Sequence, residues 1–160
     1  MSPERFIDSV RAEQESLRRF LLALCGGDSQ EADDIAQDAL VRAYVASGSF
    51  LGLSKFSTWL FRIAYNCYLD RCRKVRPETV QSDSPLALNI PSADETDAAF
   101  KYQQLYQALE RLPEKEKVSI ILHYFEDRSI KEIAAILQIP PGTVKYHLSV
   151  GRNHLKDLLQ

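Results

Sequence analysis

The sequence predicts an all-α fold made of two small helical bundles joined by a flexible linker. Three observations lead there. Apolar residues recur at helical spacing along most of the 160-residue chain. No stretch shows the strict alternation of a strand, and one proline- and acid-rich segment breaks the helical pattern near the middle.

The elements follow in order. Phe6, Ile7, Val10, Leu17, Phe20, Leu21 and Leu24 mark a first helix, which Gly26-Gly27 stops. A second begins near Ser29, with Glu31, Asp33 and Asp34 in its early turns, where the helix dipole favours acids. It runs through Ile35, Leu40 and Tyr44 to about Ser47, and the loop SGSFLGLS follows. A third helix, from about Ser57 to Lys74, carries Trp59, Leu60, Ile63, Ala64, Cys67 and Leu69. Residues 77–97 combine three prolines with acids, serine and threonine and have no helical period, so they read as a linker. Fully stretched, this tether would span on the order of 70 Å. The second unit holds four helices, over 98–111, 114–125, 129–138 and 143–159. The expected domains are therefore 1–76 and 98–160, with 77–97 between them.

Composition narrows the function. Apolar residues make up 45% of the chain and charged residues 26%, the balance of a soluble globular protein. No apolar run reaches the roughly 18–20 residues a membrane span requires. The opening MSPERFIDSV lacks the apolar core of a secretory signal, so a cytoplasmic protein without membrane insertion is expected. Cys25, Cys67 and Cys72 form no C-x-x-C pair and lie far in sequence from His123, His147 and His154. They read as reduced thiols; no metal site and no cofactor is expected. A glycine-rich phosphate loop, an H-E-x-x-H motif and a nucleophile–base pair are all missing, so the expectation is a non-enzyme with no catalytic residue.

Charge is patterned rather than uniform. The net charge is −2, yet residues 55–76 hold Lys55, Arg62, Arg71, Arg73, Lys74 and Arg76 against Asp70 alone. Acidic stretches flank this basic segment on both sides.

Three stretches carry the functional signal. In residues 129–148, SIKEIAAILQIPPGTVKYHL, Ser129 and Glu132 form a capping box. Ala134 is small where two helices cross, and Ile133, Leu137, Ile139, Val144 and Leu148 supply a shared core. The stretch reads as a helix-turn-helix, with Gly142 as the turn and Thr143 as N-cap of the last helix. That places Thr143, Lys145, Tyr146 and His147 where such a motif meets a major groove. Arg152 and Lys156 suit phosphate contact. The bland alternative is an ordinary helical hairpin, and Gln138 stands where the motif often has glycine. In residues 55–74, Phe56, Trp59, Phe61, Tyr65 and Tyr68 alternate with bases, a pattern suited to single-stranded DNA. The same aromatics could equally be core, Trp59 in particular. In residues 32–44, Asp34, Gln37 and Asp38 share a helical face, with Arg42 one turn beyond Asp38. That face is either simply solvated or a dock for a basic partner helix.

Taken in this order and spacing, the three stretches resemble the extracytoplasmic-function (ECF) sigma factors of the sigma-70 family of RNA polymerase subunits. The resemblance covers about residues 5–76 and 98–159. It implies that ADDIAQDALVRAY is region 2.2, where Asp34, Gln37, Asp38 and Arg42 would meet the β′ coiled coil of core polymerase. It implies that FSTWLFRIAYNCYLDRCRK is regions 2.3 and 2.4, which melt and read the −10 element. Lys55, Trp59, Arg62, Asp70, Arg71, Arg73 and Lys74 would surround Asn66, near a flipped base. Residues 112–137 resemble the first part of region 4 and residues 142–155 its recognition helix for the −35 element. The resemblance implies that Ser129, Lys131, Thr143, Lys145, Tyr146, His147 and Arg152 read that element and that the β flap of polymerase is a partner. The implied partners are core polymerase, promoter DNA and an anti-sigma factor. Val150 and the Tyr146-His147 pair depart from the usual residues, which bears on the −35 base preference. Two rivals remain: a stand-alone helix-turn-helix regulator, and a sigma mimic that sequesters an anti-sigma factor.

Overall fold

A computed structural model describes residues 1–75 and 96–160, with side chains described outside 75–101. The linker expected over 77–97 lies, except for its last two residues, outside the described residues. Helix α1 spans Pro3–Leu24, α2 Ser29–Ala46, α3 Phe56–Val75 and α4 Thr96–Glu110. Helix α5 spans Glu114–Ile120 and continues as a π-helical turn, Ile121–Phe125; α6 spans Ile130–Leu137 and α7 Pro141–Leu159. The fold is all-α.

Local chemistry sets the helix ends. Ser2 accepts a hydrogen bond from the Arg5 amide to cap α1, and Asp28 accepts one from the Glu31 amide to cap α2. Gly26 and Gly27 take φ of 65° and 91°, a left-handed course that lets the chain leave α1 without a Cβ clash. At α6 both halves of the capping box form: Glu132 N–H donates to Ser129 Oγ, and Ser129 N–H donates to Glu132.

Two corrections concern the helix-turn-helix. Helix α7 begins at Pro141, with Pro140 as N-cap and no side-chain cap, so Thr143 lies inside the first turn. Proline suits that first position because its missing N–H has no helical partner to lose. The left-handed residue of the turn is Gln138, at φ 59° and ψ 46°; Gly142 is already helical. The Gln138 turn lets the Ile139 amide reach the Ala134 carbonyl and closes the end of α6.

The core of α1–α3 is built from Phe20, Leu21, Leu24, Ile35, Leu60 and Phe61, all at most 1% exposed. Each such side chain stabilises the fold by about 1.5–3 kcal/mol. Leu109, Val118, Ile121, Ile133, Val144 and Leu148 do the same for α4–α7. Gly151 lets α7 approach α5 closely, since a Cβ there would lie 3.2 Å from Ile120 Cγ1. The two groups of helices are not apart. They share one continuous apolar core, with α3 packed on α6 and α1 on the end of α5.

Candidate promoter-DNA and polymerase interface

Helix α3 sorts its residues by face. Lys55, Trp59, Arg62, Asn66, Asp70 and Arg73 recur at intervals of three and four, which puts them along one stripe. Lys55, Asn66, Arg73 and Lys74 are exposed; Trp59, Arg62 and Asp70 are half-buried. Trp59 packs in an aromatic cluster, its ring centroid 5.0 Å from Phe50 and 5.6 Å from Phe56. The structure separates the other aromatics from this stripe. Phe61 stacks on Phe20 at 5.0 Å, and Tyr65 and Tyr68 are 2% and 7% exposed, facing Glu114. Burial, and then the Glu114 charge, push both phenols up from their ordinary pKa. In this arrangement these three rings pack the interior and offer no open face to a base.

Helix α2 holds its acids against the end of α3. Arg71 donates to Glu31 and Asp34 and lies 4.0 Å from Asp38. Arg42 donates to Asp70 at 3.0 Å, and Arg73 lies 3.5 Å from the other Asp70 oxygen. Hydrogen bonding to Glu31 raises the Arg71 guanidinium's pKa, so its charge is fixed. Arg71 therefore faces α2 rather than the α3 stripe, and candidates named for polymerase and for DNA meet in one ion-pair ladder. Gln37 and Asp38 remain exposed. Sequence reasoning missed what lies beside them: Val41 and Val45 are 63% and 79% exposed, and Leu51 and Leu53 in the following loop 77% and 88%. The signal was present in the register, because Val41 and Val45 fall out of phase with the buried Ala32, Ile35, Ala39 and Ala43.

In the helix-turn-helix, Lys145, Tyr146 and Arg152 are exposed on α7, and Lys131 on α6. Arg152 donates to the Tyr124 hydroxyl at 2.8 Å. Ser129 is committed to capping α6. Thr143 and His147 are half-buried at the edge of the exposed face, and His147 Nδ1 is buried without a hydrogen-bond partner. Lys156, exposed one turn beyond Arg152, extends the same basic face.

Among the described residues, no cluster of His, Cys, Asp and Glu has the makings of a metal site. No described helix is long and apolar enough to cross a membrane. Cys25, Cys67 and Cys72 are free thiols, and burial raises the pKa of each.

Comparison with known proteins identifies the family. Residues 9–78 match the family profile "Sigma-70 region 2", and residues 102–155 match "Sigma-70, region 4". The ECF RNA polymerase sigma factor SigW of Bacillus subtilis is 37% identical, over 98% of this chain and 90% of its own length. The ECF sigma factor EcfG of Rhodopseudomonas palustris is 32% identical, over 95% of this chain and 83% of its own. Among solved structures, the sigma factor RpoE of Bartonella quintana, in complex with the anti-sigma factor NepR, superposes with a TM-score of 0.76 at 28% identity. That match covers 98% of this chain and 97% of that one. The chain belongs to the sigma-70 family, among its ECF RNA polymerase sigma factors.

Proposed function

We propose that this ECF sigma factor directs core RNA polymerase to a dedicated set of promoters, with residues 1–76 acting at the −10 element and residues 98–160 at the −35 element. The observation that carries the reading is the ordered pair of matches, region 2 and then region 4, on a chain whose α3 and α7 each expose a cation-bearing face. On α3, Asn66 stands exposed between Trp59 and Asp70, within reach of a strand whose base has been turned out. Lys55, Arg62, Arg73 and Lys74 follow the backbone of that strand. On α7, Lys145, Tyr146 and Arg152 face a major groove, with Lys131 on the neighbouring phosphates.

Core polymerase docks through its β′ coiled coil on the α2 face of Asp34, Gln37, Asp38 and Arg42, where Val41 and Val45 add apolar contact area. Region 4 engages the β flap. The sigma subunit supplies placement and strand opening, and polymerase supplies the chemistry. Residues 99–160 carry nine basic and seven acidic side chains, so the free chain binds duplex weakly. Affinity becomes useful when both units are held on polymerase and the second contact is effectively intramolecular. An anti-sigma factor and a cytoplasmic location belong to the same proposal.

The test is run-off transcription with core polymerase on a genomic promoter library. Initiation from a defined subset of templates is the expected result. Failure to start RNA on any template, with no co-migration with core, would overturn the reading.

A further inference from the structure

Some of the charged groups that join the helices are buried and serve the packing. Lys117 of α5, its side chain 5% exposed, donates to the Leu24 carbonyl at the end of α1 (3.1 Å) and to the Tyr68 hydroxyl (2.8 Å). It also pairs with Glu110 and Glu114 in its own unit. Glu126, likewise buried, accepts two hydrogen bonds from Arg19 of α1, at 2.9 and 3.0 Å. The bond from Arg152 to the Tyr124 hydroxyl is of another kind, because both residues lie open to water.

Tyr124 belongs to the π-helical turn after α5. There the Glu126 amide reaches back to the Ile121 carbonyl at 3.2 Å, while the Leu122 carbonyl takes the Arg128 amide at 2.9 Å. Widened turns of this kind recur at functional sites. Tyr124 is 53% exposed. His123 stands edge-on to its ring, with centroids 4.8 Å apart, and His123 Nδ1 donates to the Arg128 carbonyl at 3.0 Å. Arg152 lies two turns beyond Lys145 on α7, so the two cations share a face.

An exposed hydrogen bond replaces bonds to water and adds little to stability. Nor is this one needed to seat α7 on α5. Gly151 lets α7 close on Ile120 and Glu116, and His154 Nδ1 lies 2.7 Å from Glu116 Oε1. What the bond does fix is the direction of a long, exposed arginine.

We propose that Tyr124 is a positioning residue for upstream DNA, aiming Arg152 at a backbone phosphate on the edge of the groove that α7 enters. The bond takes up one N–H of the guanidinium and restrains its planar fork, so less rotamer freedom is lost on contact. The ligand is the sugar–phosphate backbone of duplex DNA, and no base is read. The inference rests on the assignment of the α7 face to the −35 element. The helix-turn-helix thereby uses a residue from outside its own two helices.

The test uses the full chain and a short duplex of random sequence, because a phosphate contact needs no promoter. Anisotropy at low salt compares the wild type, Tyr124→Phe, Arg152→Ala and the double variant, with Lys145→Ala as a marker of the α7 face. Tyr124→Phe should weaken binding about three- to tenfold, the range of one hydrogen bond's net contribution. In the Arg152→Ala background the same change should cost nothing further. The slope of log K against log salt should flatten by about 0.9 in Arg152→Ala, one phosphate fewer, and towards the same value in Tyr124→Phe. Urea unfolding of Tyr124→Phe should keep the wild-type midpoint.

A lower midpoint with unchanged binding would make the bond a structural tie and overturn the positioning role. Equal losses from Tyr124→Phe with and without Arg152 would overturn it too, since the hydroxyl would then act on its own. Weaker binding by Arg152→Ala but not by Tyr124→Phe would remove Tyr124 and leave the −35 reading standing. If neither Arg152→Ala nor Lys145→Ala weakens binding, α7 does not present the DNA face, and both readings fall.

Discussion

Gln138→Gly should stabilise the second unit. Gln138 sits at φ 59° and ψ 46° in the turn between α6 and α7, and its side chain is exposed. Holding an L-residue in the left-handed region costs about 1–2 kcal/mol, which glycine avoids. Glycine returns about 0.4–1 kcal/mol of that through the greater freedom of its unfolded chain. No buried surface is lost, so the net gain is about 0.5–1 kcal/mol. For a chain of this size that raises Tm by about 1–4 °C. Urea unfolding followed by helical circular dichroism should show a higher midpoint at unchanged slope. Gln138→Val, which forces a β-branched side chain into the same conformation, should lower the midpoint. Asp127 at φ 53° offers a comparison: Asp127→Gly should gain less, since aspartate visits this region more readily. A lower midpoint for Gln138→Gly, or a gain for Gln138→Val, would refute the reading of this turn as a strained position.

Other outcomes follow from the two candidate faces and the buried carboxylates. Asn66→Ala should impair open-complex formation, read by permanganate reactivity of thymines, while changing stability by less than about 0.5 kcal/mol because Asn66 is exposed. Trp59→Ala should impair melting and also cost about 2 kcal/mol, because its ring packs on Phe50 and Phe56; normal melting in both variants would reject the α3 assignment. Asp34→Lys with Asp38→Lys should weaken co-purification with core polymerase, and unchanged recovery would count against docking on α2. Burial raises the Glu126 carboxyl above its ordinary pKa of 4.5, against the opposing pull of Arg19. Its contribution to stability is thus complete below that value and declines as pH rises through the raised one. Glu126→Gln should flatten the pH dependence of stability in that interval. Glu132 behaves oppositely, because hydrogen bonds from the Ser129 amide and Lys55 lower it; its contribution is lost as pH falls through the lowered value.

Most helix boundaries were legible because they are written in local chemistry. Gly26-Gly27, Pro113 and the Ser129–Glu132 box each act within a few residues, and the structure puts an element end at each. The start of α7 was misread by two residues. Gly142 drew attention as a turn residue, yet the Pro140-Pro141 pair already fixes an extended residue followed by a helical one. The composition of 55–74 suggested stacking platforms, whereas helical spacing turns Phe61, Tyr65 and Tyr68 inward together. The contacts between the units left no trace in the sequence. Arg19 and Glu126 are 107 residues apart, and no periodicity links them.

The hand that Lys117 lends to α1 also has an order in time. Synthesis delivers the amino-terminal helices first, and they fold as a unit while the rest of the chain is still being made. When Leu24 leaves the ribosome, the residue that will meet its carbonyl is 93 positions away and not yet joined to the chain. Until Lys117 is made, that carbonyl has water in place of the Lys117 ammonium, so this contact is one of the late ones the amino-terminal helices acquire.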